Sequence, residues 1–203
     1  MNVRHFAALL AVACLFLTGC LVESRSPLSS PAASLYDTQL EGDYRQVDKD
    51  ETGFWHFRYR RENRGQHHEH EISPWIDVVS VGYSKDGSLE RSGYKVLATQ
   101  IAGQKYLSFI SLPDDGSKKR TVSYSFARYE VNWRGELRIW LADEASFVAA
   151  VKAGKLRGKV TTGKFGSSVV LTDTTAHLAA FIAAGDPGAL FDGKPMVLRR
   201  SAR

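Results

Sequence analysis

From Trp55 to Arg60 the chain alternates without a break, with Trp55, Phe57 and Tyr59 on one side and His56, Arg58 and Arg60 on the other. A period of two is the signature of a strand with one dry face and one wet face. Such a strand needs partners, and the flanking sequence supplies them. An apolar–Gly–aromatic run from Leu40 to Tyr44 reads as the first strand, and Val79, Val81 and Tyr83 give the apolar face of another. Residues 93–101, 105–112, 121–132 and 136–141 read as further strands. Turn signals separate them at Lys85-Asp86-Gly87, Ala102-Gly103, residues 113–116 and Arg134-Gly135. About seven short strands joined in this way form an antiparallel meander, closed or strongly curled so that its edges are protected. In the sixth strand the aromatics change face, from Tyr124 and Phe126 to Tyr129, Val131 and Trp133, which predicts a bulge near Ala127-Arg128.

After Leu141 the pattern changes. Asp143 is placed to cap a helix carrying Phe147, Val148 and Val151, and Gly154 ends it. Asp173 is placed to cap a second helix with Leu178, Phe181 and Ile182 on one face, stopped by Gly185 and Asp186-Pro187-Gly188. Short strands at 156–160 and 169–171 lie between the helices, and 195–199 reads as a last strand. The fold class is therefore α+β, mainly antiparallel β: a curled meander or barrel followed by helix-strand-helix-strand. It forms a single globular domain over residues 40–203.

The N-terminal residues speak to location. Arg4 is followed by an uncharged apolar run over residues 6–17, too short to cross a bilayer, and then by small residues. Leu17-Thr18-Gly19-Cys20 resembles the lipobox of bacterial lipoproteins. That resemblance implies a signal peptide over residues 1–19, cleavage between Gly19 and Cys20, and a diacylglyceryl group on the Cys20 thiol. It also implies handling by the lipoprotein processing and sorting machinery. Leu21 follows the cysteine instead of Asp, which favours outer-membrane anchoring with the domain facing the periplasm. Residues 20–39 are rich in Ser, Pro and Ala and read as the lipidated cysteine followed by a flexible tether. The bilayer is then the first partner, and the covalent lipid stands in place of any cofactor.

The formal net charge of +5 suits anionic lipid or glycan surroundings and is too small and scattered to argue for nucleic acid. Of the two cysteines, Cys14 leaves with the signal peptide and Cys20 is acylated, so packing alone must hold the mature fold.

Few residues point to chemistry. His67, His68 and His70, with Glu69 and Glu71 between and after them and His56 on the preceding strand, offer a candidate metal set. The same stretch also reads as a solvated charged loop. Arg58, Arg60, Arg61 and Arg64 form a basic run, echoed at residues 118–120 and by Arg199, Arg200 and Arg203, which reads as a contact for an anionic envelope component or as solvated strand edges and turns. Trp55, Trp75, Trp133 and Trp140 read as core or as the lining of a ligand cavity, with Trp140 placed under the Phe147 helix. Gly82-Tyr83-Ser84 runs into a hairpin turn and makes no nucleophile elbow, and Ser167, Ser168 and His177 imply no geometry. Finally, Leu40-x-Gly42-x-Tyr44 before a meander is similar to the opening of lipocalin-like barrels, some of which are bacterial lipoproteins. That likeness implies an apolar ligand cavity walled by Trp55, Phe57 and Tyr59. The expected function is non-catalytic binding or support of envelope components; the alternatives are a lipocalin-like carrier and a metal-binding envelope protein.

Overall fold

The computed structural model describes residues 22–47, 53–63, 70–83, 87–112, 122–163 and 166–201. Strand β1 (Glu23–Ser24) comes first, then two single turns of 3₁₀ helix, Pro31–Ala33 and Thr38–Leu40. The strands β2 (Gly42–Gln46), β3 (Gly53–Asn63), β4 (His70–Tyr83) and β5 (Leu89–Ile101) follow, with β6 (Gln104–Leu112), β7 (Tyr124–Val131) and β8 (Glu136–Leu141). Next come helix α1 (Glu144–Lys152), strands β9 (Gly158–Gly163) and β10 (Gly166–Leu171), helices α2 (Thr175–Ala184) and α3 (Pro187–Leu190), and β11 (Met196–Arg200).

Each strand from β2 to β8 pairs antiparallel with the next, and β11 slots between β8 and β2. The sheet thus closes into an eight-stranded antiparallel barrel. The meander expected from sequence is one stave short: the strand near residue 196, assigned to the C-terminal layer, is the stave that closes the ring. Closure leaves no free edge along these strands, which is how an all-next-neighbour barrel avoids pairing with other chains. Where β8 parts from the start of β7, β1 takes its place, antiparallel to β7 and parallel to β10. A small flap, β1-β10-β9, therefore leaves the barrel there.

Two hydrophobic cores result. One fills the barrel: Tyr44, Phe57, Tyr59, Ile76, Leu107 and Tyr129 point inward and are at most 3% exposed. The other lies outside it, where Phe126 packs under Phe147 of α1, Leu178 of α2 and Phe191. Strand β7 serves both, with Ala127 and Tyr129 inside and Phe126 outside. This corrects the bulge expected at Ala127-Arg128: pairing of β7 with β6 and β8 runs through these residues without a slip. A strand buried on both faces simply loses the alternation that a half-buried strand shows. The barrel's irregularity lies between β3 and β4, where Arg60 faces Ser73, Pro74 and Trp75. Pro74 has no N–H to give a ladder, so the strand bows there. The Ala102-Gly103 turn is as expected, both residues having positive φ (48° and 80°), the type I′ geometry that matches strand twist.

Asp143 caps α1 as expected, its carboxylate accepting from Ser146 N at 2.7 Å. For α2 the cap is Thr174, whose hydroxyl accepts from His177 N at 3.3 Å. Asp173 is turned instead to the Arg157 backbone and guanidinium and to His177 Nδ1, tying the helix start to the segment before β9.

The largest correction concerns residues 22–39, expected to be a tether. From Val22 onward they are a strap bound across the barrel wall. Val22 and Leu28 are 1% and 2% exposed. Leu28 N donates to Ser108 Oγ at 3.0 Å, the Ser29 and Thr99 hydroxyls share a 2.6 Å bond, and Leu35 N donates to the Ala98 carbonyl at 2.8 Å. Ser108 and Thr99 lie on the outer faces of β6 and β5, so buried hydroxyls replace the water that the segment would otherwise keep.

The polarity of the barrel, apolar within and charged along much of its outer wall, is the reverse of a membrane-spanning barrel. Among the described residues no helix is long and apolar enough to cross a membrane.

Candidate functional site

The two ends of the barrel are built differently, and the candidate site is defined by that contrast. At one end lie the start of β2, the β5–β6 and β7–β8 turns and the end of β11. Here the 3₁₀ turn Thr38–Leu40 plugs the bore, with Leu40 fully buried. Asp37, 6% exposed, organises the plug. Its carboxylate accepts from Lys105 Nζ and from Tyr129 OH, each at 2.8 Å, and from Gln39 N at 3.0 Å. Its own backbone N–H donates to Tyr59 OH at 2.9 Å. Burial opposes the Asp37 charge, but these hydrogen bonds outweigh it and hold the carboxyl below its ordinary range. Burial and the Asp37 charge act the other way on the phenols, pushing Tyr59 up to about 12 and Tyr129 higher still.

Beside this network Tyr44 OH donates to the Gln39 carbonyl at 2.8 Å. The Arg200 guanidinium lies over the Tyr44 ring, 5.3 Å from its centroid, and donates to Gln39 O at 2.7 Å. Gly42 explains the spacing of the Leu40-x-Gly42-x-Tyr44 motif. It adopts φ +149°, and a Cβ there would sit 3.1 Å from Arg200 Nη1. The last strand thus locks the first turn, and this end is sealed.

The opposite end carries the chain ends of the β2–β3, β4–β5 and β6–β7 connections. Its inward side chains are only half-buried: Trp55, Tyr94 and Phe109. Trp55 stacks on Tyr94 with centroids 6.1 Å apart and planes 13° from parallel, and Phe109 meets Tyr94 edge-on at 6.1 Å. Trp55 also stacks on Phe57 at 6.3 Å, and Phe57 meets Tyr44 at 5.5 Å, so an aromatic column runs from the mouth to the sealed end. By strand alternation Ser80, Ser92, Ser111 and Ser125 share the inward face at this level. Gln46 accepts from Trp55 Nε1 at 3.3 Å and fixes the indole. The mouth thus offers flat apolar faces, with small hydroxyls spaced between them.

Two grooves lie elsewhere. One, of about 640 Å³, runs between α1, the end of β8 and β10, with Glu144, Lys152, Ser167 and Asp192 on its walls. The other, of about 370 Å³, lies on the outer face of β3 and β4 at His56, Arg58, Arg60 and Asp77. There Asp77 accepts from Arg60 at 3.0 Å, and His56 faces Asp43 at 2.6 Å.

Of the residues singled out in the sequence, Trp55, Phe57 and Tyr59 all point inward, but they divide between the two ends. Trp55 floors the mouth, whereas Phe57 and Tyr59, each 2% exposed, belong to the filled core. The tryptophans do not share a site. Trp140 lies outside the barrel against the helical core, as expected, with the Arg128 guanidinium 4.0 Å from its ring. Trp133, expected on the face of Tyr129, sits beyond the end of β7 and is 86% exposed. Leu17, Thr18, Gly19, Cys20, His67 and His68 lie outside the described residues, as does the side chain of His70, whose backbone opens β4. Among the described residues no group of three His, Cys, Asp or Glu side chains is placed to hold a metal ion. Ser167 Oγ lies 3.4 Å from Thr162 Oγ1, and His177 is turned to Asp173. Sequence reasoning missed Asp37, Lys105 and Tyr129 and placed Arg200 only in a scattered basic set; no local pattern marks Asp37 as buried.

No family model, curated protein or solved structure matches this chain. Its functional reading rests on its own geometry.

Proposed function

We propose that this chain is a bacterial cell-envelope lipoprotein, acylated at Cys20 and anchored in the outer membrane with its barrel in the periplasm. There the barrel binds a slender apolar ligand without catalysis. The observation that carries the binding reading is the asymmetry of the bore, sealed at one end and floored by half-buried Trp55, Tyr94 and Phe109 at the other. Eight strands give an interior just wide enough to be filled or to hold one small ligand, as in lipocalin-like barrels. Here the filled half limits a ligand to the mouth, where an acyl tail or a flat ring can stack on the Trp55–Tyr94 pair. The Leu17-Thr18-Gly19-Cys20 motif supports the anchor, and the lipoprotein processing and sorting machinery would act on it before the domain meets any envelope partner.

Titration with the apolar dye N-phenyl-1-naphthylamine tests the binding reading. The expected result is enhanced fluorescence in the parent protein and about tenfold weaker binding in Trp55→Ala, an apolar stacking loss of about 1.4 kcal/mol. Trp133→Ala should bind as the parent does. Equal binding by Trp55→Ala would remove the mouth as the site. It would favour a purely structural role, to which the densely filled half of the bore is also suited.

A further inference from the structure

We infer that the mouth of the barrel is a membrane-docking surface that rests on the lipid bilayer. Phe54, Tyr83 and Leu89 are 55%, 69% and 64% exposed, and Val47 and Leu112 are 40% and 42% exposed. All five lie at the mouth, at or next to the ends of β2, β3, β4, β5 and β6. They make an apolar collar along five strands of the opening, whereas at the sealed end the exposed Trp133 carries the Arg134 guanidinium 4.5 Å from its ring, with Arg138 and Arg200 also exposed. A single exposed leucine is ordinary, but a run of apolar side chains at one end of a barrel marks an interaction surface.

The occupant follows from what lies behind the collar and from where the chain enters. Arg45 and Arg91, both exposed, stand in the row of Phe54 and Val81, one row below Tyr83 and Leu89. Apolar side chains backed by arginines fit the boundary between acyl chains and anionic head groups. The described chain starts at Val22; β1 runs antiparallel to β7, Ser24 beside Tyr124 and Glu23 beside Ser125, so Val22 lies a step further from the rim but still on the mouth half of the barrel. Cys20 is two residues earlier, a reach of at most about 7 Å. A flexible twenty-residue tether would have let the domain stand about 25 Å off. The strap allows no such distance, so acyl chains on Cys20 would hold the mouth half of the barrel at the membrane surface. This inference uses the lipid-anchor reading for its orientation; the collar itself does not depend on it. With the collar seated, the Trp55–Tyr94 floor opens toward lipid, so the mouth's ligand is a membrane lipid tail and no diffusing solute.

Photo-crosslinking tests this in one preparation. The full chain, processed in a bacterial host, is reconstituted into phosphatidylethanolamine–phosphatidylglycerol vesicles carrying a diazirine-tailed phospholipid. After illumination, peptide mass spectrometry reads both the crosslinked residues and the mass of the Cys20 peptide. Crosslinks are expected around Phe54, Tyr83, Leu89 and Leu112, with few at Trp133 on the opposite end despite its exposure. In Tyr83→Asp/Leu89→Asp crosslinking at Phe54 and Leu112 should fall about tenfold. Crosslinks spread evenly over the surface, or concentrated at Trp133 or the α1 groove, would overturn the docking inference. So would collar residues crosslinked to a second copy of the chain in place of lipid. Lipid crosslinks at the collar with an unacylated Cys20 would uphold the docking surface and remove the anchor. An acylated Cys20 with an unlabelled collar would do the reverse.

Discussion

The two ends of the barrel are made from the same eight strands and differ in what each does with its inward side chains. At the sealed end Tyr44, Phe57, Tyr59 and Tyr129 are buried, and the three tyrosine hydroxyls meet Asp37, Gln39 and Arg200. At the mouth Trp55 and Tyr94 stack face to face and stay half-buried. Aromatic residues are thus structural at one end and available at the other. What separates the two uses is the strap: it brings Asp37 and Leu40 into one opening of the bore, and none of its described residues enters the other. In a small barrel with no disulfide among its described residues, stability concentrates where polar groups are buried and satisfied.

Matched truncations probe this contrast most strongly. Phe57→Ala should cost about 3–5 kcal/mol in urea unfolding, whereas Trp55→Ala, half-buried, should cost about 1–2 kcal/mol and act mainly on apolar dye binding. Equal losses would mean that the mouth is as tightly built as the sealed end. A smaller effect is expected for Lys105→Met, about 2–4 kcal/mol, because it leaves the Asp37 carboxylate buried with fewer partners. This variant should leave dye binding unchanged; a parallel fall in dye affinity would show that the two ends are coupled.

The pH dependence gives the finest test. Asp37 is held below its ordinary range, so its stabilisation is complete above about pH 4, the unfolded carboxylate value. It should be lost as pH falls through the lower folded value. Tyr59 is pushed up to about 12 by burial, so its contribution is complete below about pH 10 and lost as pH rises toward the folded value. Urea midpoints should therefore be level near neutrality and fall on both flanks. Asp37→Asn should flatten the acid flank and Tyr59→Phe part of the alkaline one. An unchanged acid flank in Asp37→Asn would place the acid-sensitive groups elsewhere.

Much of the barrel was legible because half-buried strands carry their own code. The alternation from Trp55 to Arg60 gave the inward face correctly, and the Ala102-Gly103 turn gave its own geometry. Legibility ended where one segment served two surroundings. In β7 Phe126 turns to the helices and Tyr129 to the bore, so alternation there looked like a bulge. Residues 22–39 read as a tether because Ser, Pro and Ala dominate them. Yet Val22, Leu28 and Leu40 are enough to anchor the strap once Thr99 and Ser108 offer hydroxyls on the barrel wall. The mouth was half legible, through Trp55 alone; Tyr94 and Phe109 belong to strands that only pairing brings beside it.

By itself the sequence determined a mainly antiparallel fold, the inward side of β3, the cap of α1 and the likeness of its start to a lipobox, because each is written in a few neighbouring residues. Tertiary structure alone decided that β11 closes the ring, that Asp37 seals one end and that the apolar side chains at the other form a collar. These depend on residues far apart in the chain meeting across the barrel, as Tyr129 meets Asp37 and Arg200 meets Gln39. Long-range pairing of that kind is set by the register of all eight strands together, and no local pattern records it.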